Sequence, residues 1–432
     1  MQITVPTTRR LIGELCIPGD KSITHRALIF AALCDGECEI TAASPAQDCA
    51  ATIRCLQSVG LQIITNDSAT TYVKSAGVQS LRSPQHILDV ENSGTAMRLL
   101  TGLLCGTSIS CVIDGDQSIR QRPVNRVFEP LGLMGAKFAC LEEADHAPFK
   151  IEGTQLHAAN YSSPVASAQV ETAFILAALQ AEGKSTISMP AAVRDHSTRL
   201  LQHMGVPVEI KEKSITVQKL DKPVAPYKIT IPGDLSSAAF FMVAAALLPG
   251  SDITLHDVGI NPGRRLVIDA MQEMGADITL ENQRNYAYEP MADVYVKYSP
   301  KLQGITVSGA RVALGIDEIP ILALLSCFCE GTFCVQDASE LRYKESNRLQ
   351  GIVENLREAG AAVKQQKDGF EIAGNPNGLL GGSNWATHAD HRLAMTGIIA
   401  GLASKEPVRV DNTACIKTSY PSFEKDLEKL LH

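Results

Sequence analysis

The chain is short of positive charge, with 39 Lys and Arg against 47 Asp and Glu and a formal net charge of -8. General affinity for nucleic acid is therefore not expected, and any anionic substrate must meet cations that are concentrated locally. Long apolar runs are also missing: the longest fall short of the roughly 20 residues a bilayer-crossing helix needs. The opening segment MQITVPTTRRLIGEL has neither the apolar core nor the small-residue cleavage site of a secretory leader. These absences predict a soluble, cytoplasmic protein with no membrane contact. Twelve cysteines are present, but they are scattered, several within apolar runs (Cys327, Cys329), and none makes the paired spacing of a zinc site. Reduced, buried thiols are expected rather than disulfides. No poly-Ser, poly-Gly or charge-block linker interrupts the chain. With 45% hydrophobic and 20% charged residues over 432 positions, it reads as a globular protein of two or more domains.

What is present is repetition. IPGDKSITHRALIFAALCDG at 17–36 is echoed by IPGDLSSAAFFMVAAALLPG at 231–250, an offset of 214 residues, about half the chain. A finer motif also recurs, a helical stretch that ends at glycine and enters a β-rich segment: LQSVGLQI, LGLMGAKF, LQHMGVPVEI, MQEMGADITL and LREAGAAV. Glycine there suits a left-handed helix C-cap, and its positions, 60, 135, 205, 275 and 360, divide the chain into about six α/β units in two halves of three. AMRLLTGLLCG, AQVETAFILAAL and SAAFFMVAAALL are apolar nearly all round, so they are expected as buried helices with sheets wrapped around them. The boundary between the halves is placed near Ile231.

The duplication supplies an internal control. Gly19, Asp20 and Ser22 recur in the second copy, which fits a structural role, whereas Lys21, His25 and Arg26 align with Leu235, Ala239 and Phe240. The scaffold therefore does not demand those three side chains. Cations at a helix start oppose the helix dipole, and an anionic ligand reverses that penalty, so Lys21 and Arg26 are read as anion ligands. His25 fits packing equally well. A nucleotide-binding P-loop is disfavoured, because GELCIPGDKS has five residues where that motif has four and an Asp before the Lys.

Other segments add charge at helix mouths. NSGTAMRLL offers Asn92 or Ser93 as a cap, Gly94 for close backbone approach and Arg98 one turn in. DGDQSIRQRPVNRV holds Arg120, Arg122 and Arg126 within seven residues, either an anion clamp or a solvated loop. RYKESNRLQGIVENL reads as a helix with Lys344 and Arg348 on one face and Glu345 beside them. HADHRLAM puts His391 and Arg392 before a buried helix. GIDEIPILALLS puts Asp317 and Glu318 before another, with capping a competing role for one acid and Pro320 suited to the first turn.

PGDKSITHRAL, NSGTAMR, DGDQSIRQRP, SAQVETA, DEIPILA, LRYKESNRL and HADHRLAM occur in that order, and together they resemble the 5-enolpyruvylshikimate-3-phosphate synthase family over essentially the whole chain. The resemblance implies an α/β fold of two inside-out α/β barrels, each of three repeated units, one domain 21–231 and the other 1–20 with 232–432, with the active site in the interdomain cleft. It implies transfer of the enolpyruvyl group of phosphoenolpyruvate to the 5-hydroxyl of shikimate 3-phosphate, with no metal and no organic cofactor, by a monomer. Carried across, shikimate 3-phosphate would meet Lys21, Ser22, Arg26, Ser167, Gln169, Arg194, Asp317 and Lys344. Phosphoenolpyruvate would meet Lys21, Gly94, Arg122, Gln169, Arg348, Arg392 and Lys417. Asp317, Glu345 and Lys21 are the implied proton carriers. One departure stands out: Leu99 follows Arg98 where sensitive members of the family usually have proline, which puts glyphosate sensitivity in doubt. UDP-N-acetylglucosamine enolpyruvyl transferase shares the fold and one substrate, but its active-site cysteine loop has no match here. A catalytically inactive binding protein of the same fold is the other alternative, and the presence of Lys21, Asp317 and Glu345 disfavours it.

Overall fold

The computed structural model describes residues 2–5, 10–66, 70–287 and 289–432. They form two compact units, Gly19–Ile231 with Asn285–Glu289, and Met1–Pro18 with Pro232–Arg284 and Pro290–His432. Each crossing of the chain at a duplicated IPGD segment falls inside the motif, after Pro18 and after Ile231. Among the described residues no helix is long and apolar enough to cross a membrane, and all twelve cysteines are free.

Among the described residues, six small mixed sheets carry the repeat. Five have four strands and one has three. Each contains one parallel pair, which needs a crossover connection. Leu88–Asp89 runs parallel to Ser110–Asp114 through the helix Gly94–Leu104, and Asn160–Ser162 to Lys184–Ser188 through Ala168–Ala178. Thr306–Val307 reaches Thr332–Val335 through Ile319–Ser326, and Asn384–Trp385 reaches Val408–Val410 through His391–Ala403. The two IPGD repeats exchange strands instead: Ile12–Cys16 pairs with Asp252–Gly259, and Lys228–Thr230 with Asp35–Thr41. The recurring glycines 60, 135, 205, 275 and 360 all have φ between 72° and 109°, the left-handed region that turns each outer helix into its strand.

Each unit has its own hydrophobic core around central helices. In one the core helices are Lys21–Phe30, Gly94–Leu104 and Ala168–Ala178; in the other, Leu235–Leu247, Ile319–Ser326 and His391–Ala403. All thirteen residues of Leu235–Leu247 are buried, as its unpatterned apolar sequence demands. Asp20 and Asp234 explain the retained aspartate of the duplication, since each caps its helix by accepting a backbone N–H, from Ile23 and Ser236 respectively.

Close helix packing depends on Gly102, where an added Cβ would press on the Ala173 backbone, 2.6 Å from its Cα. Ala normally gains up to about 1 kcal/mol over Gly inside a helix. Backbone cannot yield here as a flexible side chain does, so Gly102→Ala is expected to lower stability by about 1–3 kcal/mol in a urea melt; a rise would show that the helices separate freely.

Candidate active site

In the Gly19–Ile231 unit, hydrogen bonds tie three helix N-termini together. Arg26, 2% exposed, donates from Nε to Ser197 Oγ (2.8 Å), from Nη2 to Thr172 Oγ1 (2.9 Å) and the Ala168 carbonyl, and from Nη1 to the Ser22 carbonyl. Burial pushes its guanidinium down to about 10, Asp20 opposes that shift, and Arg194 is near enough to add to it. Gln169 accepts from Arg98 Nη1 at 2.6 Å and donates to Thr95 Oγ1 at 2.8 Å, linking the Ala168 helix to the Gly94 helix. Ser167 and Ser93 cap those helices through their hydroxyls. Ser93, not Asn92, is the cap.

Gly94 opens the second helix, and a Cβ there would lie 2.6 Å from Arg122 Nη1 and 3.0 Å from Arg98 Nη1. Two guanidinium groups thus face a helix N-terminus whose N–H groups carry partial positive charge, a ready anion site. Arg122 is buried and donates to neutral partners, Asn92 Oδ1 and Ser118 Oγ. The run divides: Arg122 faces Gly94, whereas Arg120 turns to the surface and pairs with Asp114 and Glu142. Lys21, at the first helical position, is balanced by Asp48, 2.7 Å away in the first turn of the helix Gln47–Ser58. His25 packs, with Nδ1 against Thr52 Oγ1 and its basicity held well below the ordinary value by burial and by Lys21 and Arg26. Glu171 is a buried acid that the sequence reading passed over; burial pushes it up to about 8 against the pull of Arg26.

The other unit gathers carboxylates around one cation. Arg348, 1% exposed, donates from Nε to Asp390 Oδ2 (2.7 Å), from Nη1 to Asp317 Oδ1 (3.0 Å) and from Nη2 to Glu345 Oε2 (2.5 Å). Burial lowers its basicity, but the three carboxylates outweigh that and hold it above the ordinary value. Lys344 Nζ lies 3.2 Å from Asp317 Oδ1, so the acid sits between two cations. The expected single helix through Lys344 and Arg348 is not formed. Asn347 caps a helix that begins at Arg348, its Oδ1 accepting from Gln350 N, and Lys344 lies before it in extended backbone. That break lets Lys344 and Glu345 turn toward Asp317 and Arg348 without the helical register.

Asp390 was not singled out, although an Asp directly before a buried helix is a capping signal. It accepts from Arg392 N, Arg348 Nε and Ser346 Oγ, and so caps the helix that carries Arg392 while orienting the Arg348 guanidinium. Arg392 Nη1 donates to the Asp317 carbonyl (3.1 Å) and to Glu318 Oε1 (3.5 Å). Lys417 is exposed on the turn Ala414–Thr418, and among the described residues no hydrogen bond or ion pair joins it to this cluster. Among the described residues no group of three or more His, Cys, Asp or Glu side chains is placed to hold a metal ion.

The family model for EPSP synthase (3-phosphoshikimate 1-carboxyvinyltransferase) matches residues 5–427. The chain belongs to the EPSP synthase family. Among curated relatives, the 3-phosphoshikimate 1-carboxyvinyltransferase of Desulforamulus reducens is 41% identical over 431 residues, covering 100% of both chains. That of Bacillus subtilis is 40% identical over 97% of each. The EPSP synthase structure from Acinetobacter baumannii superposes with a TM-score of 0.88 at 36% identity, covering 100% of this chain and 98% of that one. The enolpyruvyl transferase NikO from Streptomyces tendae, at 15% identity and a TM-score of 0.81, shares the fold. EPSP synthase membership along the whole length sets aside the rival transferase and makes the chain a carboxyvinyltransferase enzyme of the shikimate pathway.

Proposed function

We propose that the chain joins phosphoenolpyruvate to the 5-hydroxyl of shikimate 3-phosphate and releases phosphate, using Asp317, Glu345 and Lys21 to move protons. The observation that carries the roles of Asp317 and Glu345 is the cluster in which Arg348 and Lys344 hold them side by side. Addition requires that C3 of phosphoenolpyruvate gain a proton while the hydroxyl loses one and attacks C2. Elimination of phosphate from the resulting tetrahedral ketal then requires C3 to return a proton, so one group must act first as acid and then as base. Asp317 takes the hydroxyl proton in this reading, and Glu345 with Lys21 serves C3.

Lys21, Arg348 and Arg392, with Gly94 and Arg122 and with Gln169 beside Arg98, hold phosphoenolpyruvate, and Lys417 adds a further cation. Lys21, Ser22, Arg26, Ser167, Gln169, Arg194, Asp317 and Lys344 hold shikimate 3-phosphate. Preorganised cations stabilise the charge that grows on the departing phosphate. Arg26 also acts through position, since its described bonds fix Ser197, Thr172 and the Ser22 backbone. In this reading the enzyme is a cytoplasmic monomer, and its free thiols fit a reducing compartment.

Phosphate release from phosphoenolpyruvate should depend on shikimate 3-phosphate and fall by roughly 10²–10⁴ in Lys21→Ala. Release indifferent to shikimate 3-phosphate, or absent from the wild type, would refute this function.

A further inference from the structure

Glu318, like Asp390, is a carboxylate with 0% exposure beside the proposed phosphoenolpyruvate cations. It occupies the cap position of the helix Ile319–Ser326, yet its side chain makes no capping bond. The carboxylate turns inward, where Oε1 accepts the hydroxyl proton of Ser236 and faces Arg392 Nη1 at 3.5 Å. Ser236 in turn accepts from Arg264 Nη2 at 2.5 Å, and the same nitrogen donates to Asp234 Oδ1 at 2.9 Å. Asp234 and Ser236 belong to the second IPGD segment. A buried line of Asp234, Arg264, Ser236, Glu318 and Arg392 therefore joins that segment to a cation of the reaction site.

This arrangement works against simple charge attraction. A carboxylate beside an anion-binding arginine weakens its pull on an anion, and burying a charged carboxylate is itself costly. What the line provides is geometry: Arg392 is held at one corner of its guanidinium, through Nη1, by the Asp317 carbonyl at 3.1 Å and a longer contact with Glu318 at 3.5 Å. Neither bond uses Nη2 or Nε. A long side chain fixed during folding does not lose its rotamer freedom again when ligand arrives. The second IPGD copy, which has Leu235 where the first has Lys21, serves the site indirectly through this support.

We infer that Glu318 is a positioning residue, which together with Ser236 and Arg264 pre-sets Arg392 for phosphoenolpyruvate. The inference rests on the function proposed above. Glu318→Gln should raise KM for phosphoenolpyruvate by about three- to tenfold, the worth of one ordinary hydrogen bond, and leave KM for shikimate 3-phosphate within about twofold. Ser236→Ala, which cuts the line without touching a charge, should shift the same constant in the same direction by a smaller factor. The double variant should fall short of the product of the two shifts, because both remove one support. If Glu318 acted only through its charge, Glu318→Gln would lower that KM, and this result overturns the inference. Equal rises for both substrates overturn it as well, because they mark general damage. Calorimetric titration of both variants and the wild type with phosphoenolpyruvate alone, with no acceptor hydroxyl present, reads the same contrast without turnover. An inactive wild type would count against the reaction, whereas unchanged binding by the variants would count against the positioning role.

Discussion

Replacing Asp390 with alanine will destabilise the Arg348-containing unit by up to about 3–5 kcal/mol, the penalty for breaking a buried ion pair, here the most buried of the three carboxylates around Arg348. Asp390 has 0% exposure, and the Arg348 side chain it pairs with is 1% exposed. Two smaller losses accompany the main one. The helix His391–Ala403 loses the cap provided by Asp390 Oδ1, typically worth about 1 kcal/mol, and Ser346 loses its acceptor. Burial pushes the Asp390 carboxyl up, but Arg348 outweighs burial and holds it below the usual value. Because the folded value lies below the unfolded one of about 3.9, this contribution is present in full at neutral pH and is lost as the pH falls through the folded value. Urea melts at pH 7 should show the loss for both Asp390→Ala and Asp390→Asn. Below about pH 4 the wild type should weaken more steeply than Asp390→Asn, which has no carboxylate to protonate. Equal stability at pH 7 would mean that Arg348 finds sufficient compensation in Asp317 and Glu345 alone.

The features written locally in the sequence were legible. The duplicated IPGD, the glycine after each outer helix and the all-apolar helices each reflect a short-range demand: a capping carboxylate, a positive φ, a surface with no wet side. Side-chain convergence was not legible, because it is set by partners far along the chain. Lys21 finds Asp48 27 residues on, Arg348 finds Asp390 42 residues on, and Ser236 finds Glu318 82 residues on. No periodicity encodes such pairings. Arginine spacing misleads for the same reason: Arg120 and Arg122 are two residues apart, yet one pairs with surface carboxylates and the other faces Gly94. At RYKESNRL a helical charge pattern was read through Asn347, whose capping side chain starts the helix later and frees Lys344 from it. The exchange of strands between the two IPGD repeats likewise lies beyond any local pattern, since Ile12–Cys16 pairs with strand residues some 240 positions later.

Asp317→Asn should lower kcat by roughly 10²–10⁴ while changing KM for either substrate only a few-fold, because it removes a proton acceptor and keeps the shape. Asp317 Oδ1 meets Arg348 Nη1 at 3.0 Å and Lys344 Nζ at 3.2 Å. An asparagine carbonyl oxygen can receive both donors, so the two cations stay close to where they were, but the amide cannot take a proton from a hydroxyl. Loss confined to kcat would thus place Asp317 at the chemical step. Loss confined to KM would instead limit Asp317 to holding shikimate 3-phosphate beside Lys344, and the acceptor would have to be Glu345 or Lys21. Solvent isotope separates these last two from Asp317. In deuterated water, reversible protonation at C3 places deuterium in phosphoenolpyruvate recovered from a partial reaction. Glu345→Gln should slow that incorporation together with phosphate release, since the carbon-centred proton is its proposed charge. If Glu345→Gln incorporates deuterium at the wild-type rate, the C3 proton travels through Lys21, and Glu345 is left with the electrostatic work of fixing Arg348.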